Sequence, residues 1–316
     1  MSRGALKTML RVLVSGLLIA LIVYFIDFGK TLAILRNVRP EVLILPILLL
    51  FFQTGISTYK WKMILAIEGA HIGFLFLFKT YLIGQFISLF LPSSIGGDVY
   101  RMASIRSRVP GFSLHFSSVI FDRVSGLYGL LLVAAIGSAI LLHHEFTYLL
   151  LGCVLVGPLL FALFTHPAIS GRLRNNRLRL VQIAGDILAS HRKFVTSGWI
   201  FPIMGISLLF HGLVVVINFL YAQALGLEIR FVELATIVPL VYITDMIPLS
   251  INGIGVRDSA FVFFFNLLGY PAEQAFALAL LLIAIRYVFG SVGGLLLLGD
   301  ILMKGRTDVP VTRQSS

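Results

Sequence analysis

Two stretches place polar chemistry where the chain is otherwise apolar. Residues 86–101 read FISLFLPSSIGGDVYR, so Pro92, Ser94, Gly96, Gly97, Asp98 and Arg101 follow an apolar run directly. Residues 248–258 read PLSINGIGVRD and bring Asn252, Gly253, Gly255, Arg257 and Asp258 together after a second apolar run. Between them VIFDRVSG supplies the adjacent pair Asp122 and Arg123, and RYVFG supplies Arg286. An arginine is a rigid fork of donors that fits phosphate. Glycine- and proline-interrupted backbone at a helix start offers free N–H groups to an anion. Carboxylates beside such arginines can hold them in place, or bind a cationic group or a proton. An ionisable side chain inside a membrane span is costly and is a functional hypothesis by default. Lys79, Asp98, Arg101, Asp122, Arg123, Asp245, Arg257, Asp258 and Arg286 all qualify.

Opposite charges suggest partners. Asp98 or Asp122 suits Arg101, and Asp245 or Asp258 suits Arg257 or Arg286. Asp122 and Arg123 point about 100° apart on a helix, so each is expected to pair with another segment rather than with its neighbour. A plainer reading stands beside the functional one: these pairs lock helices together, and Lys79 snorkels to the interface.

The elements that must position these groups are membrane helices. The chain of 316 residues is 58% hydrophobic and only 12% charged, and its mean hydropathy is +0.98. A soluble domain is about half apolar and a quarter charged. The fold class expected is an all-α polytopic membrane protein, a single integral membrane domain over residues 1–316. The net charge of +11 could suggest nucleic acid. Its lysines and arginines fall in short connections between apolar runs, which is membrane orientation, and nucleic acid is not an expected partner.

Apolar runs fall at about 10–26, 42–59, 73–91, 114–142, 147–164, 197–225, 232–250, 258–269 and 275–302. About six of them are expected to cross fully, since a span needs about 20 residues. The first is expected to be a retained span, not a cleaved leader. Counting positive charge inside puts both termini and the basic stretch 166–194 in the cytoplasm. It also favours a re-entrant dip for 73–91, because Arg101, Arg106 and Arg108 then stay inside. The runs 232–250 and 258–269 form a second re-entrant or broken hairpin, or else both cross.

The two polar stretches echo one another. Residues 92–101 and 248–257 both read P-x-S-I-x-G-x-x-x-R, 156 positions apart. Paired broken segments in two halves of a chain point to a transporter's midplane site. An inverted repeat is therefore expected, with halves 1–165 and 195–304 and a tail at 305–316. The plainer alternative is two ordinary loops, each with an arginine anchored at the headgroups.

Other residues carry less. The lone Cys153 allows no internal disulfide. The seven histidines are scattered and read as structural or interfacial, and no metal, nucleotide or triad pattern emerges, so no cofactor is expected. Trp61 and Trp199 read as interface anchors beside basic residues. The small residues around Gly293 and Gly294 suit close helix packing.

At GQFISLFLPSSIGGDVYRMASIRSR, VIFDRVSGLYGLL, IPLSINGIGVRDSAF and RYVFGSVGGLLLL the chain resembles the lysylphosphatidylglycerol synthase transmembrane region, or flippase-like UPF0104, family. The resemblance runs along nearly the whole chain. It implies an inner-membrane protein that handles lipids. In bifunctional members this region flips an aminoacylated phospholipid made by a separate soluble domain. The present chain ends in GRTDVPVTRQSS, so no synthase domain, and no aminoacyl transfer, is expected. Many relatives carry Glu where this chain has Asp258, which shortens the reach by one methylene. The expected function is translocation of an anionic or aminoacylated phospholipid, or of a polyprenyl- or hopanoid-linked lipid. Membrane lipids are the expected partners, with a separately encoded lipid-modifying enzyme as a second. The alternative is an integral-membrane transferase that uses a polyprenyl-phosphate donor, with Asp98 or Asp122 as base.

Overall fold

The computed structural model describes residues 26–91, 95–109, 112–141, 144–164, 166–175, 178–245 and 255–307. Pro92, Ser94, Asn252 and Gly253 lie outside them, as does the expected first span before residue 26.

The described residues are helical, without strands. A short helix α1 (Phe28–Arg36) is capped by Asp27, whose carboxylate accepts from the Lys30 amide at 3.1 Å. A 3₁₀ turn at Pro40–Leu43 leads into α2 (Ile44–Ile67). Then come α3 (Phe74–Phe90), α4 (Ile95–Ile105), α5 (Phe112–Ile140) and α6 (His144–Phe164). Two surface helices, α7 (Pro167–Arg174) and α8 (Arg179–Thr196), precede α9 (Ile200–Ala224), α10 (Phe231–Asp245), α11 (Val256–Leu267) and α12 (Ala272–Thr307).

Four stretches are long and apolar enough to cross a membrane: Pro40–Ile67, Ser113–Ile140, Ile200–Ala224 and Ala272–Met303. They match four of the six spans read from the sequence. The run 147–164 falls on α6, a helix of 21 residues whose stretch Thr147–Gly157 is apolar but shorter than those four. Only half or less of each spanning window is buried in the protein, and Leu75 and Phe201 are each 80% exposed. Large apolar side chains facing outward at this density need hydrocarbon rather than water.

The run 73–91 forms a helix of only 17 residues, α3, about 25 Å long and short of a ~30 Å hydrocarbon core. α4 packs back against it. Their contact runs through glycines, because a Cβ on Gly97 would lie 2.5 Å from the Gly84 carbonyl oxygen. The Gly97 amide donates to Ser88 Oγ at 3.0 Å. α12 packs on the other side of α3, where a Cβ on Gly293 would collide with the Leu82 carbonyl. The small residues near 293 therefore serve close packing, as read from the sequence.

The basic stretch 166–194 is a pair of helices, not an open loop. α7 and α8 lie together, with Arg174 Nε 2.9 Å from Asp186 Oδ1. α8 docks inward by stacking Phe194 on Phe121 of α5, ring centroids 4.0 Å apart. The largest apolar core joins α9, α10, α11 and α12 through Tyr221, Val238, Phe261, Phe265 and Leu278.

Candidate functional site

α2, α4 and α5 bring five charged side chains to one place. Asp98 lies in the first turn of α4, where a carboxylate complements the helix dipole. Arg101 follows one turn later, with Nη1 3.2 Å from Asp98 Oδ1. Its Nη2 reaches across to Asp122 Oδ2 on α5 at 2.9 Å. The next residue, Arg123, diverges as helical geometry requires and meets Asp98 Oδ2 through Nη2 at 2.8 Å. Lys60 of α2 closes the set, with Nζ 3.0 Å from Asp122 Oδ1. It also donates toward the Asp122 carbonyl at 3.1 Å and toward Ser125 Oγ and Ser207 Oγ, each at 3.3 Å.

Aromatic groups hold the arginine flat. The Arg101 guanidinium carbon lies 4.3 Å from the Trp61 ring centroid and 4.0 Å from that of Tyr81. Such stacking is worth about 2 kcal/mol when desolvated. The Tyr81 hydroxyl accepts from Ser57 at 3.1 Å and donates to Asp122 Oδ2 at 2.9 Å. Trp61 Nε1 donates to Ser118 Oγ at 3.3 Å.

Three cations face two carboxylates here, so the cluster carries one formal positive charge more than it neutralises. Most of it is sealed: the Arg101 side chain is 5% exposed and that of Asp122 is 7%. Arg123 is the open edge, with its side chain 43% exposed. Arg101 Nε has no hydrogen-bond partner among the described residues.

A second charged pair starts α11. Gly255 adopts φ +86°, a backbone that a residue with a Cβ rarely takes. That turn lets the Asp258 carboxylate accept from the Gly255 amide at 3.0 Å. Arg257 Nη2 lies 3.7 Å from Asp258 Oδ1, and both side chains are almost fully buried. Asp258 is thus a carboxylate placed beside Arg257. The echo does not carry over into helical register. Arg101 sits in the second turn of α4, whereas Arg257 sits in the first turn of α11. Arg286 is half-buried midway along α12.

Three expectations are corrected. Trp61 is fully buried and is no interface anchor, whereas Trp199 is 49% exposed. Lys79 does not stand alone, because it pairs with Asp300 of α12. Lys60 is not a charge beyond the end of a span. α2 continues to Ile67, which places Lys60 about 10 Å inside its end. The missed signal was a stripe at helical spacing, Thr54, Thr58, Lys60, Trp61, Ile64 and Leu65, all buried on one side of α2. Tyr81, Ser207 and His211 were also missed, and they carried no motif, while Ser125 lay unremarked inside VIFDRVSG. Among the described residues no group of three metal-ligating side chains gathers.

Stacked apolar spans around a buried ionic network define an integral membrane protein with polar machinery at its core. The lysylphosphatidylglycerol synthase TM region matches the chain over residues 8–294, and the chain belongs to that family. It is similar to a UPF0104 membrane protein of Methanocaldococcus jannaschii, with 23% identity covering 91% of this chain and 93% of the relative. No solved structure matches the chain significantly.

Proposed function

We propose that this protein is a lipid translocase in which the network around Arg101 receives an anionic, phosphate-bearing headgroup while the acyl tails stay in the bilayer. The carrying observation is the surplus cation in a sealed cluster with one open edge, Arg123. A phosphate arriving at that edge would meet Arg123 first, with the unpartnered Nε of Arg101 behind it. Asp98 and Asp122 hold the arginines in a fixed fork. On this reading the α3–α4 hairpin is re-entrant and α10–α11 is its counterpart in an inverted repeat. Arg257, Asp258 and Arg286 then form the second half of the path. The protein sits in a bacterial-type plasma membrane with both termini cytoplasmic. It receives its lipid from the bilayer or from a separately encoded lipid-modifying enzyme.

The transferase reading needs a free carboxylate as general base. Asp98 lies between two arginines and Asp122 between Lys60 and Arg101, which favours transport. The test is headgroup accessibility in proteoliposomes, with aminoacylated, anionic and polyprenyl-linked lipids offered in turn. Wild type should move at least one class, and Arg101→Ala should abolish that movement while keeping its folded melting transition. Equal rates for the two would overturn the site. Product formed from a polyprenyl-phosphate donor in detergent would favour the transferase instead.

A further inference from the structure

The headgroup reading makes no use of the basic helix pair α7–α8. Residues 166–197 carry Arg172, Arg174, Arg177, Arg179, Arg192 and Lys193 against a single carboxylate, Asp186. Asp186 is taken by Arg174, and Lys193 Nζ lies 3.5 Å from Glu68 Oε2 at the end of α2. Arg172, Arg179 and Arg192 are exposed. A run of exposed arginines is often no more than a solvated face, but two further observations point to a lipid surface. The first is the tether. α6 ends at Phe164 and α7 starts at Pro167, while α8 ends at Thr196 and the span α9 starts at Ile200. Links this short hold both ends of the pair within about 15 Å of a membrane helix, at ~3.5 Å per residue. Trp199 and Phe201, 49% and 80% exposed, mark the headgroup level where that span begins. The second is Leu178, which lies between the two helices and is 66% exposed. Arg177 and Arg179 flank it in the chain. An exposed leucine among arginines suits a bilayer surface, where guanidinium groups meet phosphates and the apolar side chain enters the acyl boundary. α8 is itself amphipathic: His191 and Phe194 are buried, whereas Arg179, Gln182, Arg192 and Lys193 are exposed.

We propose that the basic face of α7–α8 docks on an anionic phospholipid surface, with Leu178 as its inserting side chain. The surface is that of the bilayer the protein itself spans, in the leaflet that carries anionic lipid. Such attraction grows with the number of cations near the surface and is screened by salt. The inference does not depend on the translocase reading. It does bear on the same network, because α8 touches two of the helices that build it. Ser190 and Lys193 hold Glu68 of α2, and Phe194 stacks on Phe121, the neighbour of Asp122 on α5.

The experiment uses the full chain with Cys153→Ser and Asn175→Cys, labelled with an environment-sensitive fluorophore at the exposed end of α7 and reconstituted in vesicles. With phosphatidylglycerol mixed into phosphatidylcholine, emission should shift to the blue and be quenched by lipid bearing a nitroxide at headgroup level. In phosphatidylcholine alone both effects should be small, and high salt should reverse most of the shift in the mixed vesicles. These comparisons require no charge variant to fold. Arg172→Gln/Arg179→Gln/Arg192→Gln leaves the Arg174–Asp186 and Lys193–Glu68 pairs in place. It should keep its melting transition and lose most of the shift, and Leu178→Ser should lose the part that survives high salt. Arg101→Ala should respond like wild type. Spectra indifferent to lipid charge, or a wild-type response in the triple variant, overturn the docking surface and leave the headgroup site standing. A response lost in Arg101→Ala assigns it to the headgroup site and overturns the docking surface as well. An intact response in a protein that moves no lipid overturns the headgroup reading alone.

Discussion

Lys60 and Asp122 face each other across α2 and α5 at 3.0 Å, with both side chains less than a tenth exposed. Asp122 also takes Arg101, so one carboxylate neutralises two buried cations. Removing one partner of a buried ion pair costs about 3–5 kcal/mol, because the remaining charge stays desolvated. Asp122→Asn should therefore lower the melting temperature in detergent strongly. Adding Lys60→Met to it removes one of the two stranded cations and should restore part of the loss. A double variant less stable than Asp122→Asn alone would show that Lys60 does not depend on that carboxylate.

Trp61 should matter through its ring face. Trp61→Phe keeps an aromatic surface over Arg101 but loses the hydrogen bond to Ser118. Trp61→Leu loses both and also leaves unfilled space. Lipid translocation should be reduced moderately by Trp61→Phe and far more by Trp61→Leu. Equal losses would mean that the Ser118 bond, and not the stacking, is what the site needs.

Much of this was legible in the chain, and the reason differs by element. Asp98, Arg101, Asp122 and Arg123 stood out because charges are rare in apolar sequence, and their divergence on α5 follows from helix geometry alone. Lys60 and Trp61 did not stand out. A lysine and a tryptophan near the end of an apolar run look the same whether the helix stops there or continues two turns to Ile67. His211, Ser125 and Ser207 come together only when α9 packs on α5, and no local pattern encodes that. The echo of residues 92–101 at 248–257 was visible as letters, yet it says nothing of where each helix begins, so the two arginines fall in different turns.

Gly293 fixes how closely α12 approaches α3. A Cβ there would run into the Leu82 carbonyl, which is backbone and cannot rotate away. Even Gly293→Ala should force the helices apart and lower thermal stability, and Gly293→Val should be worse. Gly299, whose Cβ would meet nothing, is the control, and Gly299→Ala should be tolerated. Similar melting temperatures for the alanine variants at 293 and 299 would contradict the close contact.

Lys79 and Asp300 join the same two helices nearer their surface, with side chains 37% and 33% exposed. At that exposure a pair is worth about 0.2–1 kcal/mol. Lys79→Ala and Asp300→Ala should each change stability little. A double-mutant cycle should give a coupling energy in that range, reduced by high salt. A coupling of several kcal/mol would mean that the pair is sealed from solvent in the membrane.

His191 gives α8 a pH dependence that can be read outside the membrane spans. Its ring packs edge-on against Phe121, centroids 5.6 Å apart, and its Nδ1 lies 2.7 Å from the Ile187 carbonyl. Burial pushes the imidazole below the ordinary histidine value of 6.5, and this outweighs the Ile187 carbonyl and the Glu68 carboxylate, which favour the proton. The folded protein therefore holds this proton less tightly than the unfolded chain does. Above about pH 6.5 both forms are neutral and nothing is lost. As pH falls below that value the unfolded chain takes up the proton first, and the stability that rests on a neutral, docked ring declines. The melting temperature should thus drop between about pH 7 and pH 5, and His191→Gln should show a smaller drop over the same interval. Phe121 is the neighbour of Asp122 in the chain, so undocking α8 should also blunt lipid movement at the acidic end. An unchanged slope in His191→Gln would assign the acid sensitivity to the carboxylates of the network instead.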